Sequence, residues 1–274
     1  MRLSIFTAAL AATALSATAA SAQDGAAANW TGFYVGGQLG YQSDIKNDQK
    51  ETVTFDRNLD GSYGDAFPNF APGYCDGTAV NNSAAAGCFG DSRHAAWKVQ
   101  AGYDMQFGEG SGFVVGAVVD AGKSYNVNYV SAFSTTPASY VFGARLKENG
   151  TARVRAGYSL DTGTLFYATG GLAYGKINNF FLSTNTVNTR TERGTKEGRW
   201  GYVYGGGIEQ KIGQFSVGFL YTYTSLKNDD YRMRLSGGPA TSPFTAQNAN
   251  GTDLRRSKDN FNLHSAYATV AWHF

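Results

Sequence analysis

The feature that most constrains this fold is a regular alternation of apolar and polar side chains with a period of two residues. From 97 to 106 the even positions are polar or glycine, and the odd positions are Trp97, Val99, Ala101, Tyr103 and Met105. Residues 113–122 repeat the pattern after a short glycine-rich turn. Because successive side chains of a strand point to opposite faces, the two segments are predicted to form a hairpin with one apolar face.

The same hairpin pattern recurs along the chain. The segment Val-Gln-Ala-Gly-Tyr-Asp at 99–104 resembles Val-Arg-Ala-Gly-Tyr-Ser at 154–159. Each segment has about the length that a tilted strand needs to cross a bilayer. We predict eight strands, at 30–42, 97–106, 113–122, around 154–159, 165–176, 200–210, 215–226 and 262–274.

Long and short connections alternate between these strands without exception. Outer-membrane barrels combine short periplasmic turns with long outer loops, so both termini are predicted to face the periplasm. A soluble β-sandwich could share the composition, but it has no reason to place all its long loops at one end. The predicted fold is an all-β, antiparallel, up-and-down transmembrane β-barrel with eight strands and long extracellular loops. A ten-stranded barrel stays open, because residues 140–146 could add pairing within the second long loop.

Composition agrees with a membrane barrel. The chain has 35 glycines in 274 residues, against a usual share of about 7%. A formal net charge of +2 argues against nucleic acid as a partner. Two aromatic girdles are predicted on the apolar faces. The periplasmic girdle comprises Phe33, Tyr103, Phe113, Tyr158, Phe166, Phe215, Trp272 and Phe274; the outer girdle comprises Tyr41, Trp97, Tyr174, Trp200, Tyr202, Tyr221 and Tyr223.

The first residues have the pattern of an export signal. Arg2 supplies the positive charge, an alanine-rich apolar stretch follows, and Ala20-Ser21-Ala22 matches a cleavage site. The apolar stretch is too short and too weakly hydrophobic for a membrane helix. Residues 1–22 are therefore predicted to be a signal peptide, and residues 23–274 the barrel domain.

The chain has two cysteines, Cys75 and Cys88, both in the first long loop. An even number of cysteines in an exported protein favours a disulfide. Such a bridge would pin the loop rather than the barrel. No further Cys or His pair has ligand spacing nearby, so no metal site is predicted.

Four segments resemble one family. These are Asn-Trp-Thr-Gly-Phe-Tyr-Val-Gly-Gly-Gln-Leu-Gly-Tyr at 29–41, Thr-Gly-Gly-Leu-Ala-Tyr-Gly at 169–175, Tyr-Gly-Gly-Gly-Ile-Glu at 204–209 and Val-Ala-Trp-His-Phe at 270–274. Together they resemble the porin-family, opacity-like surface antigens of alphaproteobacteria. The resemblance implies a surface protein of the outer membrane. It also implies that Val270, Trp272 and Phe274 act as the signal read by the barrel-assembly machinery. Some relatives are proposed to bind haem, but no residue here supports a cofactor.

Six charged residues fall on the polar faces of the predicted strands. Lys98, Asp120 and Arg153 lie at a similar height and are predicted to form a cluster inside the barrel. Arg155 lies just below them, and Asp104 and Glu209 lie near the periplasmic mouth. Paired opposite charges can satisfy one another in a confined interior. Since an eight-stranded barrel is just wide enough for side chains to fill, the cluster is predicted to plug it. A narrow or gated diffusion pore is the alternative.

Catalysis is not predicted. His264 and Ser265 are adjacent, so a strand would place them on opposite faces, where they cannot act as a nucleophile and its base. This differs from lipid A deacylase barrels, in which His and Ser share a face. His273 is expected to be a polar residue of the periplasmic end. Neither a nucleophile elbow nor a phosphate loop occurs in the sequence.

The long loops are the expected place of contact with partners. The first loop is acidic and rich in aromatics, while the third and fourth are basic; their bases are Arg190, Arg193, Lys196, Arg199, Arg232, Arg234, Arg255, Arg256 and Lys258. Arginines suit the phosphates of lipopolysaccharide, although solvated loop charge without a ligand fits equally. The predicted function is that of an outer-membrane surface protein with a role in envelope integrity and loop-mediated interaction. The predicted partners are outer-membrane lipids, lipopolysaccharide and a host or environmental ligand.

Overall fold

The computed structural model describes residues 29–44, 51–90 and 94–274. The predicted signal peptide lies outside these residues. The strands are β1 (Gly32–Asp44), β2 (Val53–Asp56), β3 (Gly73–Asp76), β4 (Thr78–Ala79), β5 (Cys88–Phe89), β6 (His94–Phe107), β7 (Gly112–Ser124), β8 (Val127–Ser134), β9 (Ala138–Ser159), β10 (Thr164–Ser183), β11 (Thr189–Arg193), β12 (Gly198–Ile212), β13 (Phe215–Lys227), β14 (Arg232–Ser236), β15 (Thr252–Arg256) and β16 (Asn260–His273). Two short 3₁₀ helices span Pro68–Phe70 and Ala84–Ala86. Within the described ranges, no helix has the length and apolarity needed to cross a membrane.

Eight strands close into a ring. Around the ring they follow in the order β1, β6, β7, β9, β10, β12, β13 and β16, and β16 pairs with β1 again. Every neighbouring pair in the ring is antiparallel. Apart from the closing pair of β16 and β1, each ring strand pairs with the next ring strand along the chain. The predicted eight-stranded, up-and-down barrel is therefore confirmed. Ring closure matters because a closed barrel leaves no backbone edge unpaired in lipid.

Three tight turns connect ring strands at the end that carries Trp30 and Phe274. They span 108–111, 160–163 and 213–214. Gly163 and Gly213 have φ of 78° and 61°, in the left-handed region that favours glycine. The long connections all lie at the opposite end, as the sequence predicts.

Strands β9 and β10 extend beyond the ring on the long-loop side. The upper part of β9 pairs with β8 and with β10, and β3 pairs in turn with β8. Residues 140–146 thus belong to β9 itself and add pairing outside the ring, which keeps eight strands. A register shift falls where Glu148 pairs with Lys176 and Leu146 with Ile177, so Lys147 is the extra residue of a β-bulge.

The outer wall of the ring is apolar. The predicted girdle residues point outward, with Phe33 and Phe113 each 67% exposed and Phe274 74% exposed. Tyr174 and Tyr223 are half-buried because they pack against neighbouring aromatic rings. In water so many exposed apolar side chains would be unfavourable, whereas lipid tails solvate them.

The long loops fold into a cap over the outer end of the barrel. Four loop strands form a second sheet in the order β11, β14, β15 and β2. Under it lies a hydrophobic core, here called the cap core, comprising Val53, Phe55, Phe67, Phe70, Val130, Ala132, Ala138, Tyr140, Phe142, Phe181, Tyr231, Met233, Leu235, Phe244 and Leu254. The disulfide Cys75–Cys88 is present and ties β3 to the β4–β5 hairpin, with the two Cα atoms 6.1 Å apart. The described loop residues therefore form one folded unit and not a set of separate irregular segments.

Candidate functional site: the barrel interior and the outer cap

The lower charged cluster is centred on Arg155 of β9. Its guanidinium donates hydrogen bonds to both carboxylate oxygens of Asp104 on β6, the one from Nε at 2.8 Å. A further hydrogen bond joins it to Glu209 Oε1 on β12, at 3.0 Å. The rings of Tyr34 and Tyr167 flank the guanidinium, with centroids 4.7 and 5.0 Å away. Tyr167 also donates to Glu209 at 2.9 Å.

The upper charged cluster is centred on Asp120 of β7. Lys98 Nζ lies 2.7 Å from Asp120 Oδ1, and Arg153 Nη2 lies 2.8 Å from Oδ2. Thr151 donates to the same Oδ2 at 2.6 Å and accepts from Arg153 Nε at 2.9 Å. All four side chains are buried. The space beside the cluster is too small for a water molecule.

Strand alternation explains how these side chains reach the interior. The odd residues 151, 153 and 155 of β9 point inward, while the even residues between them face lipid. Glycines on neighbouring strands provide the room. A side chain at Gly116 would collide with the carboxylate of Asp104, and one at Gly207 would collide with the ring of Tyr167. Inward-facing glycines thus make room for the large side chains of the lower cluster on neighbouring strands.

The structure places the six predicted interior residues in two clusters at different heights. Lys98, Asp120 and Arg153 form the upper cluster; Asp104, Arg155 and Glu209 form the lower cluster. Tyr34 and Tyr167 were not among the residues predicted for the interior. Their positions share the inward parity of β1 and β10, and that parity was the signal that could have found them.

Apolar side chains fill the interior above the charged clusters. The layer comprises Ala144, Leu146, Ala173, Ile177, Val203, Leu226, Phe261 and Leu263. Below the clusters, the fully buried Trp30 folds into the barrel mouth. Its backbone N–H donates to Gln106 Oε1 at 3.0 Å, and its ring packs edge-on against His273 at 5.4 Å. Neither layer was predicted, because Trp30 lies before β1 and the apolar layer combines residues of five different strands.

His264 and Ser265 lie on opposite faces of β16, so their side chains do not form a nucleophile–base pair. His264 faces outward and hydrogen-bonds to Tyr221, while Ser265 is buried on the inner face. His273 Nε2 lies 3.0 Å from Ser216 Oγ at the terminal end. Across the described part of the chain, no three His, Cys, Asp or Glu side chains are grouped as metal ligands.

Several of the predicted loop bases are used inside the cap. Arg234 forms a two-point contact with Asp253, at 2.6 and 2.8 Å. Arg256 binds Glu51 in the same way, at 2.6 and 2.7 Å. Arg199 is buried against Asp230, at 2.7 Å. These three arginines stabilise the cap and are not available to a ligand, whereas Arg190, Arg193 and Lys196 are exposed.

A basic rim lies on the outer wall between the ring and the cap. Its members are Lys123, Arg145, Lys147 and Lys176, all exposed near the level where β7, β9 and β10 leave the ring. Two acids accompany them, with Lys147–Glu197 and Lys176–Glu148 each 3.0 Å apart. The aromatic pair Tyr174 and Trp200 lies next to the rim on β10 and β12, with ring centroids 5.0 Å apart.

A closed eight-stranded ring with an apolar outer wall and a polar, filled interior defines a transmembrane β-barrel. The model of the family "Outer membrane protein beta-barrel domain" matches residues 8–274. The chain belongs to this family and is an outer-membrane protein.

Two curated relatives are similar in sequence. Both are the 31 kDa outer-membrane immunogenic protein, from Brucella melitensis biotype 1 and from Brucella suis biovar 1. Each is 33% identical over 135 residues, which cover 47% of this chain and 52% of the relative. The matched region thus spans about half the length of these relatives. The predicted resemblance to surface antigens of alphaproteobacteria is confirmed.

Two solved structures are similar in shape. The outer membrane protein OprG from Pseudomonas aeruginosa is 11% identical with a TM-score of 0.47, over 91% of this chain and all of that chain. The attachment invasion locus protein Ail of Yersinia pestis, solved with the heparin analogue sucrose octasulfate, is 10% identical with a TM-score of 0.29. That match covers 87% of this chain and 99% of Ail.

Proposed function

We propose that this protein is a non-conducting surface protein whose barrel anchors a folded cap at the cell surface. The cap serves envelope integrity and contacts with molecules outside the cell. The observation that carries this proposal is the cap core, since a loop layer with its own hydrophobic core presents a rigid surface. We assign no catalytic role, cofactor or metal to the chain.

The filled interior supports the non-conducting part of the proposal. An ion crossing the barrel would have to displace Trp30, separate two buried charged clusters and pass the apolar layer around Leu146 and Ile177. Breaking a buried ion pair costs several kcal/mol, of order 3–5 for one partner removed. Thermal motion that displaces Trp30, both charged clusters and the apolar layer at once is therefore rare.

The basic rim supports contact with lipopolysaccharide. Its four bases outnumber the two acids and sit beside the aromatic residues that mark the membrane interface. Exposed ion pairs are weak, so Lys147 and Lys176 can exchange a carboxylate for a phosphate at little cost. Lys123 and Arg145 have no ion-pair partner within the residues that the structure describes.

Planar-bilayer conductance of the refolded protein tests the non-conducting part. We expect no unitary currents from the wild type. Steady currents that change in amplitude in Asp120→Asn would show that the interior conducts, and a small diffusion pore would replace our proposal. Asp120→Asn keeps the shape of the side chain, so a failure to fold is less of a concern than with alanine.

The same preparations test the lipopolysaccharide contact. In vesicles, lipopolysaccharide is expected to raise the unfolding temperature of the wild type more than that of Lys123→Gln/Arg145→Gln. Arg190→Gln/Arg193→Gln is the matched control, because it removes two exposed bases away from the rim. An equal rise in all three proteins would refute the role of the rim while leaving the conductance result intact.

We also propose that Val270, Trp272 and Phe274 form the assembly signal. All three point outward at the terminal end of β16. Phe274→Ala is expected to lower the amount of assembled protein in cells at least several-fold without changing its stability once folded. Phe215→Ala is the control, because Phe215 packs edge-on against Trp272 in the same girdle, with ring centroids 4.5 Å apart. Equal losses in both variants would mean that Phe274 acts only as a girdle residue.

A further inference from the structure

Strand β11 is the exposed edge of the cap sheet. It pairs with β14 on one side, and none of the described strands pairs with its other side. All five of its side chains, Thr189, Arg190, Thr191, Glu192 and Arg193, are exposed. A free strand edge offers a row of backbone N–H and C=O groups to another strand.

The charged side chains of β11 have no ionic partner within the part of the chain that the structure describes. Arg190 makes one long hydrogen bond, 3.4 Å, to the carbonyl oxygen of Ser183. Glu192 lies near the hydroxyl of Tyr231, whose pKa is raised by burial and by this carboxylate. Two other arginines of the same sheet differ in this respect, since Arg234 on β14 and Arg256 on β15 are both held by carboxylates.

The order of residues in β11 is complementary to itself. In an antiparallel pair centred on Thr191, each Arg190 lies opposite a Glu192, and each Thr189 lies opposite an Arg193. We propose that two copies of this chain associate through their β11 edges, forming one continuous sheet across both caps. The contact is isologous, because the same five residues contribute from each copy.

The register of β11 places the ion pairs on one face. Arg190 pairs with Leu235 and Glu192 with Met233, so both charged side chains share the face of the cap sheet that covers the cap core. Two ion pairs would thus continue the core face across the dimer. Opposite charges directly across an antiparallel pair are stabilising, and like charges are destabilising.

The same charges explain why a second copy is the preferred partner. Charged residues on an edge strand discourage pairing with arbitrary strands. Pairing without repulsion requires a strand with the reversed order of charges, and an antiparallel copy of β11 has that order. Five paired residues bury little surface, so the association is expected to be weak and dependent on concentration.

Disulfide trapping tests the register. Both native cysteines are bonded to each other, so Thr191→Cys adds the single free thiol. Directly opposite residues have Cα atoms about 4.5–5.5 Å apart, which a disulfide can bridge. We expect Thr191→Cys, oxidised at high protein concentration in detergent micelles, to give a covalent dimer. Thr189→Cys is the control, because its two copies would lie about 13 Å apart along the strands.

Charge reversal tests the complementarity. Glu192→Arg alone places like charges opposite each other and is expected to weaken dimerisation at least tenfold in sedimentation equilibrium. Arg190→Glu/Glu192→Arg restores opposite charges and is expected to restore the dimer. Equal trapping at 189 and 191, a monomer at all concentrations, or a double variant as weak as the single one would each overturn the proposal.

Discussion

Replacing Arg155 with methionine is expected to destabilise the folded barrel by about 3–5 kcal/mol. The substitution keeps most of the side-chain volume but leaves Asp104 and Glu209 buried without their shared cation. Two uncompensated carboxylates in one interior also repel each other. Urea unfolding of the refolded protein in lipid vesicles, followed by tryptophan fluorescence, measures the loss. Lys147→Met is the control, because its ion pair with Glu197 is exposed and contributes about 0–1 kcal/mol.

The pH dependence of stability distinguishes the loss of the ion pairs in Arg155→Met from poorer packing of the methionine side chain. Lowering the pH from 7 to 4 lets the unpaired carboxylates of the Arg155→Met variant bind protons, so part of the lost stability should return relative to wild type. Asp120→Ala removes a carboxylate instead of leaving one unpaired, so acid has no unpaired carboxylate to neutralise beside Lys98 and Arg153. The stability deficit of this variant should therefore persist at pH 4. A deficit in Arg155→Met that does not shrink at pH 4 would show that the lost ion pairs are not its cause.

The barrel could be predicted because the alternation of residues within each ring strand shows which face meets lipid. On β7, Phe113, Val115 and Val119 face outward, while Asp120 shares the inner face with glycines and two valines, and the observed strand has the same two faces. Period-two alternation depends only on neighbouring residues, so no long-range information was needed. The inward direction of Asp120 followed from the same parity.

The partners within the interior could not be predicted so well. Parity shows that Arg155 points inward, but its contact with Glu209 of β12 depends on the stagger of strands across the ring. Stagger is a property of ring closure and not of any one strand. For this reason Arg155, Asp104 and Glu209 could be placed below the upper cluster, but their pairing with one another could not be predicted.

Sequence patterns could not predict the cap. Its core brings Phe55 and Phe70 of the first loop against Tyr140 of β9 and Phe244 of the last loop. The first loop is rich in aromatics, but contacts between loops have no periodic signal in the sequence. The upper part of β9 was also hard to recognise, because the bulge at Lys147 reverses the parity of the residues before it.

Phe70→Ala is expected to cost the cap about 3–5 kcal/mol of stability while leaving the barrel folded. The Phe70 ring is 2% exposed and lies at the centre of the cap core, 4.6 Å from Phe55, 5.1 Å from Phe67 and 5.0 Å from Tyr140. Removing it leaves a cavity lined by the rings of Phe55, Phe67, Tyr140 and Phe244. Limited proteolysis of the loops reports on the cap, and the heat-dependent gel mobility of the barrel reports on the ring.

Loop proteolysis should change while the heat-dependent gel mobility stays the same, because the ring does not depend on the cap core. Backbone pairing and the two buried charged clusters hold the eight strands together, and none of these contacts involves Phe70. Phe89→Ala is the matched control, since Phe89 lies in the same first loop but is 64% exposed. Cleavage of Phe70→Ala at the wild-type rate would mean that the cap is held by its buried ion pairs and not by its aromatic core. Loss of cap and barrel together would mean that the protein is one cooperative unit, in which a surface contact could also change the stability of the barrel.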